Sequence, residues 1–300
     1  MEPLSENPVP LALVGNAEAG SQMPKTAYAP VSGGQAFALI VAFAFLLPGA
    51  SPPPAKLLRV CSDPNNLPFS NSDGEGFENK IAALMAERLH MQLTYYWRPQ
   101  RRGFLRNTLN AGNCDLVIGI PSGVEGIRTT RPYYRSSFVF VTRSDIAPIM
   151  SLDDERLRSL KIGVQLTGDD GSNPPPAHAL AKRGIVQNVR GYLVYGDYRE
   201  RQPAAAIMRA LLDREVDVAI VWGPLAGYWQ RYSETPLRVS TVLPLIDGAR
   251  LPMAFDISMG VRKDDVAVRD NLNALLVDEA AAINAILAEY GVVTMGSAEP

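Results

Sequence analysis

The chain has 300 residues, of which 47% are hydrophobic and 20% charged, and this composition is typical of an ordinary globular protein long enough for two lobes with separate cores. Its 29 basic and 31 acidic side chains leave a net charge of -2, so the overall charge gives no reason to expect nucleic acid as a partner. Any attraction to a charged partner must therefore come from a local cluster of side chains.

A short apolar run, Ala36 to Leu47, dominates the N-terminal region. A transmembrane helix needs about 20 apolar residues, so this shorter run favours the hydrophobic part of a secretory signal. We expect residues 1–55 to be a leader that is removed or disordered, and a mature chain that begins between Ala50 and Lys56. The mature protein would then be periplasmic and have no membrane span. A membrane anchor that stays attached is the alternative.

Strand-like and helix-like segments alternate through the first half of the remaining chain. The predicted elements are a strand at Leu57 to Ser62, a helix at Gly76 to His90, a strand at Gln92 to Trp97, a helix at Phe104 to Asn110 and a strand at Asp115 to Ile120. An extended apolar run, Tyr133 to Arg143, then crosses to a second lobe.

The same alternation repeats in the second half. It predicts helices at Asp153 to Leu160, Ala177 to Arg183 and Pro203 to Arg214, and strands at Lys161 to Gln165, Arg190 to Tyr195 and Asp217 to Trp222. A strand at Ile257 to Arg262 and one long helix at Val266 to Tyr290 return to the first lobe.

These elements predict an α/β fold with two lobes, each a mainly parallel sheet flanked by helices, joined by a two-strand hinge. We place the first lobe at 56–142, the second at 143–243, the return segment at 244–295 and a tail at 296–300.

Polar and aromatic residues follow the first strand in a loop that is broken by proline. The candidate binding residues in it are Asp63, Asn65, Asn66 and Phe69. Ligands of open α/β sheets bind outside the carboxyl ends of the strands, which is where this loop lies. A capped turn is an equally good interpretation of the loop alone. Asp169 and Asp170 follow the first strand of the second lobe, and we expect their loop to face Asp63 to Phe69.

Seven arginines between Arg98 and Arg135 give this stretch a local charge of plus five, because only Asp115 and Glu125 oppose them. Arginine binds carboxylates and phosphates in bidentate geometry, so an anionic ligand or an acidic protein surface would complement the region. Solvated helix faces and internal ion pairs are the alternative. The candidates nearest to predicted strand or loop ends are Arg101, Arg102, Arg131 and Arg135.

Several aromatic residues could form the walls of a cleft between the lobes. They are Trp97, Tyr133, Tyr134, Trp222 and Tyr228. A place in the hydrophobic core is the alternative for most of them. Trp222 has the clearest functional case, because it directly follows a predicted buried strand at the edge of the expected crevice.

The chain offers little material for catalysis or metal binding, since it has only two histidines and lacks HExxH and CxxC motifs. Paired acids could act without histidine, and Asp63, Glu75 and Glu78 are close in sequence. Helix capping and solvent exposure explain these acids more simply. We expect a protein that is not an enzyme and that has no metal and no cofactor.

The two cysteines, Cys61 and Cys114, would be expected to pair in an oxidising compartment. Geometry argues the other way. If their strands are parallel neighbours, the two residues lie ~13 Å apart, whereas a disulfide tolerates Cα separations only to about 7 Å. We therefore expect two free, buried thiols, although an antiparallel or shifted register would reverse this.

The order of a strand, a PF loop, a helix opened by GF, a DLVIG strand, then PYY and VFVTR resembles the family 3 extracellular solute-binding proteins, from about Leu57 to Val293. The longer segments CSDPNNLPFSN, PQRRGFLRNTLNAGNCD, TTRPYYRSSFVFV and VVWGPLAGY are similar to the MoxJ/XoxJ-type proteins within that family. The resemblance implies a type II periplasmic-binding-protein fold. It also implies a periplasmic accessory role beside a PQQ-dependent methanol or alcohol dehydrogenase, in its maturation or activation through protein or small-ligand binding.

Relatives that bind amino acids usually hold the ligand carboxylate with an arginine and its ammonium with an acid. Gly123 and Trp222 stand at those two positions here, so both counter-charges for a zwitterion are missing. A free amino acid is therefore a poor ligand, because desolvating its charges without partners would cost several kcal/mol. A transport receptor for a small anionic metabolite and a dehydratase-like enzyme on the same fold are the alternative functions.

Overall fold

A computed structural model describes residues 55–167, 173–195, 197–200 and 202–296. These residues all fall within Pro53–Pro300, the second of the two units into which internal contacts divide the chain. The predicted leader up to residue 54, the end of the tail, and the candidates Asp169 and Asp170 lie outside the described residues.

The described ranges contain fourteen strands, and the eight that the sequence predicted begin and end within about three residues of the predicted positions. The fourteen strands are β1 (Leu57–Ser62), β2 (Asn65–Asn66), β3 (Ser70–Asn71), β4 (Gln92–Trp97), β5 (Leu116–Pro121), β6 (Arg128–Thr129), β7 (Tyr134–Arg143), β8 (Ile162–Leu166), β9 (Val189–Leu193), β10 (Val218–Trp222), β11 (Leu237–Thr241), β12 (Ile246–Asp247), β13 (Leu251–Pro252) and β14 (Ala254–Val261). The short strands β2, β3, β6, β12 and β13, and also β11, have too little apolar periodicity for the sequence to predict them.

The helices of the described ranges are α1 (Phe77–Arg88), α2 (Phe104–Asn107), α3 (Pro175–Lys182), α4 (Ala206–Leu212), α5 (Gly223–Tyr232), α6 (Val266–Asp278) and α7 (Ala280–Glu289), with 3-10 turns at Glu155–Arg158 and Pro203–Ala205. Helix α5 was not predicted from the sequence; it follows Trp222 directly and has a proline in its first turn, where proline is favoured.

The large sheet has the strand order β4, β1, β5, β14, β7, β10, β8, β9. The strands β4, β1 and β5 are parallel, and so are β10, β8 and β9. The antiparallel strands β7 and β14 connect the two groups, because the first part of β7 pairs with β14 and its second part pairs with β10 and β11. The predicted two-lobed α/β fold with a two-strand hinge is confirmed, while the exact lobe boundaries stay predictions.

The second lobe is buried on both faces of its sheet. Along β10, Val218 and Ile220 join one apolar cluster, whereas Ala219 and Val221 join another, as the two-residue period of a strand requires. Helix α3 covers the first face, and α4 and α5 cover the second.

The long helix predicted at Val266 to Tyr290 is two helices, α6 and α7, which meet at an angle of 74°. Leu276 of α6 and Ile283 of α7 both enter the core of the first lobe, and the bend lets both helices reach the same cluster. Within the described residues, no single helix has the length and apolar character needed to cross a membrane; only this bent pair passes that test when taken together.

The prediction of free thiols was wrong, because Cys61 and Cys114 form a disulfide with their Cα atoms 5.5 Å apart. The strands β1 and β5 are parallel neighbours, as assumed, and Cys61 lies opposite Val117. Cys114 precedes the first residue of β5, however, and the loop that contains it bends back towards the end of β1. The estimated separation extended straight strand geometry into that loop, where it does not apply.

Candidate functional site

Two adjoining cavities, of about 310 Å³ and about 260 Å³, lie where the carboxyl ends of the strands of both lobes meet. We call them the cleft cavities. Strand β5 of the first lobe and strand β10 of the second contribute to both, as expected for ligand sites in α/β sheets. The residues that line both cavities are Gly119, Phe138, Pro174 and Trp222.

Trp222 lies at the centre of this region, as its position after a buried strand predicts. Its ring packs against Phe138 and Phe255, with centroid distances of 5.3 Å and 6.0 Å. Its backbone N–H donates a hydrogen bond to the Gln165 side chain at the end of the neighbouring strand β8 (3.0 Å). The tryptophan is thereby held in place, and it forms an apolar wall.

Among the described residues that line the cleft cavities, Glu78 is the only ionisable one. It lies in the first turn of α1, its side chain is buried at 8% exposure, and none of the hydrogen bonds between described residues involves its carboxyl oxygens. Burial, together with the nearby Asp63 carboxylate, raises the pKa of Glu78 to about 8. The group is therefore mostly protonated at neutral pH. The interpretation of Glu78 as a solvent-exposed residue was wrong.

Gly119 on β5 makes room for this carboxyl group. A Cβ atom at this position would lie 1.8 Å from Oε1 of Glu78, and the φ of Gly119 is +78°, which other residues rarely adopt. Glycine at this strand position is thus what allows a carboxyl group from α1 to reach the floor of the cleft.

Tyr133 and Tyr134 were predicted to form cleft walls, and they lie close to Glu78. Their rings pack edge to face at 5.1 Å. Burial raises the pKa of both hydroxyl groups well above its usual value, and Glu78 contributes to this. The buried hydroxyl of Tyr133 has no hydrogen-bond partner among the described residues.

Asp63 connects the two lobes instead of lining the cavities. It is buried, and it accepts hydrogen bonds from the backbone N–H groups of Asn65 (2.9 Å) and Gln100 (2.7 Å). It also accepts one from the hydroxyl of Tyr198, which follows β9 of the second lobe (2.5 Å). Burial and this bond raise the pKa of Tyr198 above its usual value.

Asn65 extends the same connection between the lobes. Its side-chain amide donates to the backbone oxygen of Glu200 (2.8 Å), and its side-chain oxygen accepts from the backbone N–H of Gln202 (3.3 Å). We call these contacts of Asp63 and Asn65 with the second lobe the latch. The segment that meets the Asp63 loop in the described residues is therefore the one around Tyr198; the expected partner loop with Asp169 and Asp170 lies outside them.

The four candidate arginines do not come together at the cleft cavities. Arg101 is exposed and lies over the ring of Tyr198, at 5.1 Å. Arg102 and Arg131 are also exposed. Arg135 forms an ion pair with Asp256 of the neighbouring hinge strand, at 2.9 Å.

The remaining candidates divide into two groups. Asn66 and Phe69 line the smaller cavity. Trp97 stacks on Tyr95 with a centroid distance of 4.4 Å, and Tyr228 packs against Tyr232 at 4.8 Å; none of these four residues lines the cleft cavities. In the described part of the chain, no three His, Cys, Asp or Glu side chains are grouped as a metal site would require.

Sequence reasoning considered Glu78 as a possible catalytic acid but set it aside, and it missed Gln165 and Tyr198 as site residues. Glu78 had a usable signal, since it stands two residues after the glycine that opens α1, next to the predicted binding loop. Gln165 ends a predicted strand, whereas Tyr198 lies in an irregular segment without any such signal.

Comparison with known proteins gives consistent matches across the described chain. The model of the bacterial extracellular solute-binding proteins, family 3, matches residues 58–291. Protein MoxJ of Methylorubrum extorquens is 33% identical over 256 residues, which cover 81% of this chain and 83% of that protein. The solved structure of the periplasmic binding protein XoxJ from Methylobacterium extorquens AM1 is 37% identical, with a TM-score of 0.65 over 80% of this chain and 100% of XoxJ.

A second solved structure, MxaJ from Methlophaga aminisulfidivorans MPT, is 22% identical and has a TM-score of 0.67 over 79% of this chain and 100% of MxaJ. At this identity the likeness concerns the fold alone. The fold, the family model and the relatives thus agree.

Proposed function

Because the chain belongs to the family 3 bacterial extracellular solute-binding proteins and, among them, to the MoxJ-type proteins, we propose that it is a periplasmic accessory protein of a PQQ-dependent methanol or alcohol dehydrogenase. It acts in the maturation or activation of that enzyme and binds its ligand in the cleft between the lobes. It does so as a binding protein rather than as a catalyst.

The observation that carries this proposal is the lining of the cleft cavities. Trp222 and Phe138 line both of them, and no arginine or lysine is among the described lining residues. A free amino acid would lose its hydration there without gaining a pair of counter-charges from the described lining residues, at a cost of several kcal/mol. The cleft thus supports a role other than amino-acid capture, on a fold that otherwise resembles amino-acid receptors.

A surface for the dehydrogenase is a separate part of the proposal. The stretch from Arg98 to Arg135 carries a local charge of plus five, and Arg101, Arg102 and Arg131 are exposed. Exposed arginines favour acidic protein surfaces as partners. The small anionic ligand considered from the sequence has less support, since these arginines do not line the cleft cavities.

The experiment is complementation of a strain that lacks the gene, with methanol-dependent dye reduction in periplasmic extracts as the readout. We expect the deletion to remove most of the dehydrogenase activity and the native gene to restore it. A gene that encodes the Trp222→Ala variant should restore much less dehydrogenase activity, because the variant loses the wall that both cavities share. Val277→Ala, an exposed position on α6, is the control. Unchanged dehydrogenase activity in the deletion strain would refute the proposal.

A transport receptor is the second candidate function, and the latch favours it because receptors of this fold close around their ligands. It predicts uptake of a labelled solute that depends on this gene, while dehydrogenase activity stays unchanged in the deletion strain. The same two measurements therefore separate the two functions.

A dehydratase-like enzyme is the third candidate, and a protonated Glu78 at the cleft is the observation in its favour. It requires turnover of a small hydroxy acid by the purified chain, with loss of turnover in Glu78→Gln. Binding without turnover supports the accessory role.

A further inference from the structure

We propose that the cleft takes an uncharged ligand with an aromatic or aliphatic body and a hydrogen-bond-accepting end, and that Glu78 is the group that donates to this end. The inference rests on the proposed function in one respect, namely that the cleft is the working site. It adds a ligand class and a specificity-determining residue.

The first step concerns the position of Glu78. Its side chain is more than nine-tenths buried, lines the smaller cleft cavity, and has no hydrogen bond with any described residue. A buried polar group without a partner costs about 1–3 kcal/mol, so such groups are rare in folded proteins. A bound ligand would supply the partner that the carboxyl group lacks here. The carboxyl group lies against Gly119, which also lines the cavity, so the lack of a side chain at position 119 leaves room for the carboxyl group there.

The second step concerns the charge of the carboxyl group. The titratable groups that face it are Asp63 after β1, Tyr95 on β4, and Tyr133 and Tyr134 at the start of β7. All four are acids, and no base is among the causes that set its pKa, so its surroundings favour the neutral form. A neutral carboxyl group has one O–H donor, which suits a carbonyl, amide or ether oxygen.

The third step excludes charged ligands. Glu78 is the only ionisable residue among the described lining residues, so none of these residues offers an anion a counter-charge. Among the described lining residues the only acid for a cation is Glu78, which would have to ionise in a buried position beside Asp63. A neutral ligand avoids both costs.

The fourth step concerns the body of the ligand. Phe138, Trp222 and Phe255 form apolar walls on the larger cavity, which is also lined by Gly119, the residue next to the Glu78 carboxyl group. Its volume of about 310 Å³ is at the small end of the range for ligand sites. The ligand is therefore the size of a single substituted ring or a short aliphatic chain.

The test uses three probes of one shape and different charge: phenylacetamide, phenylacetate and phenethylammonium. Each is titrated into the purified chain at pH 7, with quenching of tryptophan fluorescence and the rise in Tm as readouts. We expect saturable binding of the amide, and binding of both ions at least about tenfold weaker. Strongest binding of the cation or of the anion, or no binding of the amide up to its solubility limit, would overturn the proposal.

Variants of Glu78 show whether this residue is the donor. Glu78→Gln keeps an N–H donor, so it should bind phenylacetamide within about threefold of the native chain; Glu78→Met should bind it at least about tenfold more weakly. Native binding should weaken from pH 7 to pH 9.5 as the carboxyl group ionises, whereas binding by Glu78→Gln should not change. Equal binding by folded Glu78→Met, with the native Tm, contradicts the proposal; if Glu78→Met does not fold, the pH profiles of the native chain and Glu78→Gln decide.

Failure of this inference and failure of the proposed function are distinguishable. If the probes bind as expected but the gene deletion leaves dehydrogenase activity unchanged, the ligand class stands and the accessory role fails. If the deletion abolishes dehydrogenase activity but the amide does not bind, only the ligand class fails.

Discussion

Glu78 and Gly119 illustrate how a single pair of residues can set the character of a cleft. The glycine leaves a space at the strand, the glutamic acid fills it from the helix above, and burial keeps the proton on the carboxyl group. Neither residue alone would place a neutral carboxyl group at the cleft, because an alanine at position 119 would collide with the carboxyl group and an exposed glutamate would ionise.

The raised pKa of Glu78 predicts a specific dependence of stability on pH. Between about pH 4.5 and about pH 8 the folded chain retains a proton at Glu78 that the unfolded chain has released. The free energy of unfolding should therefore fall as the pH rises through this window, relative to Glu78→Gln. The difference is at most roughly 5 kcal/mol, since one pKa unit is worth about 1.4 kcal/mol.

Urea unfolding of both proteins from pH 4.5 to pH 9 measures this difference. Glu87→Gln, which removes an exposed acid on the same helix, is the matched control. Parallel stability curves for the native chain and Glu78→Gln would show that Glu78 is not a buried neutral acid.

At the scale of elements, the disulfide fixes the end of β1 to the loop that precedes β5. Both strands contribute to the binding edge, since β1 leads into the Asp63 loop and β5 contains Gly119. The bridge closes a loop with a sequence separation of 53 residues, which contains α1, β4 and α2. It thus restrains the unfolded chain over most of the first part of the lobe.

Replacement of both cysteines, Cys61→Ser with Cys114→Ser, should lower the free energy of unfolding by about 2–4 kcal/mol, mainly because the unfolded chain regains conformational freedom. Urea titrations with and without dithiothreitol measure the effect. The reductant should destabilise the native chain and leave the double variant unchanged. Equal midpoints for the oxidised native chain and the double variant would contradict this expectation.

At the scale of the whole molecule, the lobes are connected on two sides. The latch joins them at the front of the cleft, through Asp63 and Tyr198. At the hinge, the chain after α7 runs beside β7, where Met295 N–H donates to the backbone oxygen of Arg135 (2.8 Å) and Ser136 donates to Val293 (2.5 Å). The latch can therefore form and break while the hinge side stays joined, as closing and opening of the two lobes require.

Tyr198→Phe should favour the open clamp, because it removes the hydroxyl that donates to buried Asp63 at a cost of about 1.5–3 kcal/mol for a bond to a charged group. Small-angle X-ray scattering should show a larger radius of gyration than for the native chain. Tyr192→Phe removes a buried hydroxyl without a partner among the described residues, and it should leave the radius unchanged. The latch has no role in closure if the two variants scatter alike.

The sequence by itself determined the elements whose signal is local. The strands at Leu57–Ser62 and Gln92–Trp97 have the predicted bounds, and α1 lies within its predicted range, because apolar periodicity and β-branched residues act over a few neighbouring positions. The same local reasoning placed Trp222 at the cleft, since it follows a run of buried residues. The order of these elements, together with the quoted motifs, was enough for the two-lobed fold and the family.

Only the tertiary structure decided which distant segments meet. It placed Cys114 beside Cys61, the Glu78 carboxyl group against Gly119, and the Tyr198 hydroxyl on Asp63. These contacts join residues that are 41 to 135 positions apart. Their geometry is set by the packing of whole lobes, so no pattern within a short window of sequence records it.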